Sequence, residues 1–344
     1  MSDKRTEISE IGEFGLIERI RSGFTPRNPS TILGIGDDAA VIDTGEYYSL
    51  LSSDMLVEGI DFDLAYFPIQ HLGYKSVVIN ISDIAAMNGT PAHVLVSLAL
   101  SNRFSVEFVE AFYEGVRSAC NNYKVDLVGG DTSSSKSGLI ISVAVLGKVE
   151  KSGLVRRSTA GINDILCVTG DLGASFLGLQ VLQREREAFL ADPEVQPELD
   201  RYEHLVHKHL KPEARTDIVY ELRKLGVVPT SMIDISDGLA SDLLHICRES
   251  KTGAVIFEDK LPVDPLTLST AKEFRIDPVT AIMNGGEDFE LLFSIRQPDY
   301  EKVKNHPGIH MIGYIRDPKE GVAMMTRNNN EIPLQAQGWD HFKG

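Results

Sequence analysis

The sequence predicts a mixed α/β fold in two domains, and three observations predict it. The chain has 344 residues, a length that suits about two domains. Short apolar runs broken by glycine alternate along it with longer segments of helical period. Acidic residues recur at glycine turns in both halves. The boundary falls near Lys151-Ser152-Gly153, giving a first domain over 1–150 and a second over 151–344. A composition of 42% hydrophobic and 24% charged residues is ordinary for a globular protein. The formal net charge of −16 disfavours nucleic-acid backbones and anionic membrane surfaces as partners. Cys120, Cys167 and Cys247 are far apart, so neither a disulfide framework nor a Cys-x-x-Cys metal site is indicated, and a reducing cytoplasm is the expectation. No apolar run reaches the ~18 residues of a membrane span, and the first thirty residues hold no secretory apolar core.

In chain order, Phe14, Leu16, Ile17 and Ile20 give Glu13 to Arg21 a helical period, ended by Gly23 and Pro26. From Ile32 to Met55 the pattern changes to short β-like runs, placing Asp37, Asp38 and Asp54 near strand ends. The stretch Gly34 to Asp61 puts acid where acid is costly. Two carboxylates ~4 Å apart repel by about 4 kcal/mol at an effective dielectric near 20. No Lys or Arg lies between Gly34 and Asp61, so a divalent cation is the economical counter-charge, and hard cations such as Mg²⁺ or Ca²⁺ prefer oxygen ligands. His71 to Met87 reads as a buried helix in which Asp83 is nearly alone among apolar residues. A buried carboxylate is paired or holds a metal; helix capping is the other reading of Asp83.

Val94 to Leu100 reads as a strand, Val106 to Tyr123 as an amphipathic helix, and Val125 to Val128 as a strand that stops at Gly129-Gly130-Asp131-Thr132. Glycines there bring backbone close to a phosphate or metal, or make an ordinary hairpin turn. Leu139 to Val149 is a further strand. Of Arg156 and Arg157, either one is a phosphate clamp or the two form a solvated surface pair. Ile165 to Thr169 reads as a strand, Gly173 to Leu182 as a helix, and Gln183 to Asp200 as a surface insertion. His204, His207 and His209 do not share one helical face, so they read as solvated histidines rather than a zinc site. Met232 to Ile235 makes a short strand before a helix carrying Leu239, Leu243 and Ile246. Ser236 or Asp237 would cap that helix, yet a cap accounts for one acid there and not for Asp234 as well. Gly285-Gly286-Glu287-Asp288 precedes the strand Leu291 to Ile295, strand-like Met311 to Ile315 follows, and Trp339 sits near the C-terminus, where a packed aromatic is the plain reading.

Familiar nucleotide motifs are missing. Gly34-x-Gly36-x-x-Ala39 is only a loose dinucleotide fingerprint, with Asp37 and Asp38 set against any pyrophosphate. There is no G-x-x-x-x-G-K-[ST] loop and no G-x-S-x-G elbow. What remains is a set of carboxylates with few catalytic bases, which suits metal-cradled phosphate chemistry.

Six motifs in order, Gly34-Ile-Gly-Asp-Asp-Ala-Ala40, Ser52-Ser-Asp54, Asn80-Ile-Ser-Asp-Ile-Ala-Ala-Met87, Gly129-Gly-Asp-Thr132, Ile233-Asp-Ile-Ser-Asp-Gly-Leu239 and Gly285-Gly-Glu-Asp-Phe-Glu-Leu291, together resemble the thiamine-monophosphate kinase family of the aminoimidazole-ribonucleotide synthetase superfamily. The resemblance implies that superfamily's two-domain fold, with the N-terminal sheet forming a homodimer interface. It implies transfer of the ATP γ-phosphoryl group to thiamine monophosphate, the last step of thiamine diphosphate biosynthesis, with several Mg²⁺ ions. Matched residue by residue, it makes Asp38, Ser52, Ser53, Asp54, Asp83, Asp131, Asp234 and Asp237 metal ligands. It makes Gly130, Asp131, Arg157 and Ser236 ATP contacts, and Asp61, Glu287 and Trp339 substrate contacts, with Asp54, Asp131 and Arg157 closest to the chemistry. Asp61 departs from the family, which commonly has His there. Another ATP-dependent synthetase of the superfamily, or a non-catalytic metal-binding regulator, is the alternative.

Overall fold

The computed structural model describes residues 6–194 and 196–335, and Trp339 lies outside them. Helix α1 (Ile8–Gly23) opens the chain and bends at Gly12, where φ is 67°. Then come β1 (Thr31–Leu33), β2 (Ala40–Asp43), β3 (Tyr48–Val57), α2 (Ile69–Ala86), β4 (Thr90–Leu100), α3 (Val106–Tyr123), β5 (Asp126–Ser134) and β6 (Leu139–Val149). Their six strands form one sheet in the order β1-β2-β3-β6-β4-β5. Only β4 and β5 run parallel, because α3 carries the chain back between them. Ser105 caps α3 by accepting from the Phe108 amide at 3.3 Å, and left-handed Lys124 ends it, so the amphipathic helix runs as the period predicts.

Helix α2 organises the rest. Its sequence is apolar around nearly its whole circumference, and such a helix must be covered on every side. It lies on β3, β4 and β6, and its other faces meet α3, α5, α6 and β8. Leu72, Val77, Val78, Ile81 and Ile84 are buried there with Leu50, Val94 and Val143.

The later elements are β7 (Ile165–Thr169), α4 (Ala174–Ala191), α5 (Glu203–Leu210), α6 (Thr216–Lys224), β8 (Ser231–Asp234), α7 (Leu239–Ser250), β9 (Gly253–Phe257), α8 (Pro265–Glu273), α9 (Pro278–Asn284), β10 (Leu291–Ile295), α10 (Tyr300–Val303), β11 (Ile309–Arg316), β12 (Val322–Met325) and β13 (Glu331–Pro333). Their strands form a second sheet, β13-β12-β9-β11-β7-β10-β8, so the expected α/β class holds. Among the described residues no helix is long and apolar enough to cross a membrane.

Several sequence expectations need correction, among them the helix expected to end at Leu182, which runs on to Ala191. Asp54 sits inside β3, opposite Val143 of β6, rather than near a strand end. The strand expected to stop at Gly129 continues to Ser134, because Gly130, with φ of 157°, presses so close to β4 that a Cβ there would lie 1.7 Å from the Val96 carbonyl. The glycine permits close pairing instead of ending the strand. His209 is buried, not solvated, since α5 turns Leu205, His209 and Leu210 to the inside.

Candidate active site

The acids of both halves meet where α2 crosses from one sheet to the other. The turn between β1 and β2 brings Asp37 and Asp38, β3 brings Ser52, Ser53 and Asp54, and the last turn of α2 brings Asp83. From the second half come Arg157, Asp234 at the end of β8, Ser236 and Asp237 in the loop after it, and Asp242 and His245 on α7. Together they line one cavity of about 720 Å³, closed on a further side by Phe14, Ile17 and Arg21 of α1.

The capping expectation for α7 fails, and the failure is informative. Its N-cap residue is Gly238, with φ of 114° and no side-chain cap, so neither Ser236 nor Asp237 is spent on the helix start. Asp242 turns back instead and accepts from the Gly238 amide at 3.2 Å.

The centre of the cavity holds more negative charge than the protein balances. One carboxylate oxygen from each of Asp38, Asp83 and Asp234 lies within 4.8 Å of the others. Arg157 reaches this centre, with Nη2 at 2.6 Å from Asp38 Oδ1 and Nε at 3.4 Å from Asp37 Oδ1. It is therefore no solvated surface arginine. Burial opposes its charge, but Asp38 and Asp37 outweigh burial and hold the guanidinium firmly protonated. Ser82 donates to Asp234 at 2.6 Å, Ser52 donates to Asp83, and Asn80 Oδ1 accepts from the Asp54 amide at 3.0 Å. Asp38 Oδ2 is buried and has no hydrogen-bond partner among the described residues.

The consequence is a set of displaced acidities. Burial and then the Asp38 charge push Asp37 up to about 7 against the pull of Arg157, and burial with Asp38 does the same to Asp234 against Ser82. Asp54 is pushed to about 6 by burial and by Asp61. Burial raises Asp83 well above the carboxylate range, with Asp54, Asp234 and Asp38 adding to it, and Asp242 likewise beside Asp237 and Asp234. Carboxylates raised by burial and by one another, around an orphaned buried oxygen, are the donor set that a hard divalent cation satisfies. The residues present thus fit magnesium.

Two substrate candidates lie beside this centre. Asp61 accepts from the Val57 amide at 2.7 Å and is near enough to raise Asp54. Glu287 follows Gly286, whose φ is 69°, and its own amide donates to the Ser236 carbonyl at 2.7 Å. That bond ties the Glu287 loop to the cavity wall. Its carboxylate pairs with Lys75 at 2.8 Å and His209 at 3.2 Å. Gly130 and Asp131 are placed elsewhere. They stand on the exposed edge strand β5, with β6 and β4 between it and β3, roughly three strand spacings or ~14 Å away. Sequence reasoning missed Asp242, Lys75 and His209. An acid at helical spacing among Leu239, Leu243 and Ile246, and a lysine inside an apolar helix, were the signals.

The fold and this cavity define a class. Residues 36–149 match the family AIR synthase related protein, N-terminal domain. Thiamine-monophosphate kinase of Bacillus subtilis is 34% identical over 347 residues, covering 97% of this chain and all of the relative. That of Aquifex aeolicus is 33% identical over 338 residues, covering 97% and 99%. A solved structure of AaThiL complexed with AMPPCP and TMP superposes with a TM-score of 0.84 at 32% identity, over 98% of this chain and 100% of that one. The chain belongs to the thiamine-monophosphate kinase family. Similarity over nearly the full length of these kinases disfavours the alternatives of a different synthetase or a regulator.

Proposed function

We propose that this chain transfers the γ-phosphoryl group of ATP to thiamine monophosphate, yielding thiamine diphosphate and ADP. The observation that carries the proposal is the cavity where Asp38, Asp83 and Asp234 converge beside Arg157, in a chain of this family. The complex of AaThiL with AMPPCP, a non-hydrolysable ATP analogue, and TMP supports the same pair of substrates here.

The chemistry asks little covalent work of the protein. The nucleophile is a phosphate oxygen already ionised near neutral pH, so no general base is needed. The obstacle is repulsion between two anions, and positioning with charge neutralisation removes it. Asp38, Asp54, Asp83, Asp131, Asp234 and Asp237, with Ser52 and Ser53, are the proposed magnesium ligands. Bound magnesium would supply the positive charge that the phosphate oxygens need. Arg157, which lines the cavity and is held at its centre by Asp38, is the proposed clamp on the transferring phosphoryl group. Ser236, exposed at the cavity wall, is a proposed ATP contact. Asp61, Glu287 and Trp339 are the proposed contacts to the thiamine moiety.

Gly130 and Asp131 fit the scheme through a second copy of the chain. The sheet face away from α2 leaves Leu51, Met55, Leu95 and Leu146 exposed, with Leu127 and Val128 beside them on β5. An apolar sheet face ending in an uncovered edge strand is the kind of surface that pairs. We assign it to a homodimer in which the β5 edge of one protomer reaches the cavity of its partner. The two sheets, before and after residue 150, support the division into two domains at 1–150 and 151–344. The free thiols of Cys120, Cys167 and Cys247 support a cytoplasmic setting. The test is product analysis after incubation with ATP, magnesium and either thiamine monophosphate or thiamine. Thiamine diphosphate from the first and no phosphorylated product from the second is expected. ADP formation with thiamine monophosphate left intact would overturn the assignment.

A further inference from the structure

Lys75 stands in the middle of α2 with 2% of its side chain exposed, a costly place for a cation. Its Nζ donates to Glu287 Oε1 at 2.8 Å and to the His209 carbonyl at 3.2 Å. His209 Nδ1 lies 3.2 Å from Glu287 Oε2 and 3.3 Å from Ser175 Oγ. The Phe67 ring supports both partners, its centroid 5.5 Å from Lys75 Nζ and 5.9 Å from the His209 ring. Each carboxylate oxygen of Glu287 is thus anchored by a different element, Oε1 from α2 and Oε2 from α5. The side chain nevertheless remains 35% exposed. The backbone is held as firmly, since Glu287 and Phe289 adopt φ of 55° and 51°. Residues in this left-handed region persist where the surroundings over-determine them, and such places cluster at ligand sites.

We infer that Lys75 and His209 are positioning residues for thiamine monophosphate, fixing the Glu287 carboxylate so that its open side meets the N–H donors of the aminopyrimidine. This rests on the reading of Glu287 as a substrate contact. A carboxylate oxygen accepts more than one hydrogen bond, so engagement with Lys75 and His209 leaves acceptor capacity for a ligand amine. Burial disfavours the Glu287 charge, but Lys75 and His209 outweigh burial and keep it ionised. A purely structural bridge would bury the acid with Lys75, whereas this one leaves about a third of the Glu287 side chain, 35%, exposed.

The experiment is steady-state kinetics on Lys75→Met, Glu287→Gln and the double variant, with KM measured separately for thiamine monophosphate and for ATP. Lys75→Met is expected to raise KM for thiamine monophosphate by about tenfold to a hundredfold, the range for a lost hydrogen bond to a charged group. KM for ATP is expected to stay within about twofold, and kcat to fall less than KM rises. The double variant is expected to match Glu287→Gln alone, since Lys75 acts through Glu287. Full additivity, or an unchanged KM for thiamine monophosphate beside a lowered melting temperature, would overturn the positioning role while leaving the kinase assignment intact. If Lys75→Met does not fold, His209→Gln takes its place: a raised KM for thiamine monophosphate supports the role, and an unchanged one overturns it. Wild-type protein that transfers no phosphate to thiamine monophosphate would instead overturn the functional reading, and the positioning role with it.

Discussion

Two clusters of buried acid lie close together in this molecule and are balanced in opposite ways. Around Glu290 the protein supplies its own cations. Lys208 stands at 2.9 Å and Arg215 at 2.6 Å, and the Thr169 hydroxyl donates at 2.6 Å. In the cavity centred on Asp38, Asp83 and Asp234, only Arg157 reaches in from the cations among the described residues, while Arg21 and Arg248 pair with Glu249 at the rim. The first arrangement is complete as folded. The second is left short of positive charge, and its acidities are raised first by burial and then by the neighbouring carboxylates. The contrast separates an acid whose cations the fold supplies from acids left with few of their own, a distinction that burial alone does not make.

The comparison breaks most easily by removing one acid from each cluster. Asp83→Asn is expected to lower kcat by about 10²–10³-fold, as loss of one electrostatic group in a preorganised site does. The same change leaves metal-free stability equal or higher, because it relieves repulsion among Asp54, Asp234 and Asp38. Glu290→Gln does the reverse, destabilising the protein by about 1–3 kcal/mol, since Lys208 and Arg215 lose their buried partner and keep Asp171 and Asp217. Chemical denaturation without metal checks both, and equal losses of stability would erase the distinction.

A pH series sharpens it. Asp37 and Asp234 titrate near 7 when folded, against 3.8 for an ordinary aspartate, so the folded state binds more protons through that interval. Their contribution is fully present below about pH 4 and is lost as pH rises toward 7. Without metal, the melting temperature should therefore fall between about pH 5 and 7.5, a window in which Glu287 is ionised both folded and unfolded and adds no slope. Magnesium should flatten the fall, and a flat profile without metal would contradict the charge shortage. The smallest effect belongs to Trp339→Ala. A lost stacking contact with the thiazolium, roughly 0.5–2 kcal/mol, should raise KM for thiamine monophosphate about two- to thirtyfold. An unchanged KM removes Trp339 from the site.

Much of this arrangement was legible in the residues themselves. Asp83 alone in an apolar helix and Asp234 beside a strand-to-helix turn announced buried charge with a purpose, and periodicity placed α3 from Val106 to Tyr123. Local pattern could not reveal how strands are ordered. Asp131 reads as a neighbour of the other acids along the chain, yet the sheet puts β6 and β4 between β5 and β3. Nor could it show which face of a helix would be buried. Lys75 passed as one residue of an apolar helix and His209 as a solvated histidine until α2 and α5 met across Glu287. Asp242 was hidden by the expectation of a side-chain cap, which Gly238 made unnecessary.

The cavity centred on Asp38, Asp83 and Asp234 is the proposed place of phosphoryl transfer. Its most direct test follows label from γ-labelled ATP into thiamine diphosphate with magnesium, in wild-type protein and in Asp54→Asn side by side. Label in thiamine diphosphate from the wild type, and its loss in the variant at unchanged melting temperature, is the predicted result. Transfer by Asp54→Asn at the wild-type rate would contradict the account.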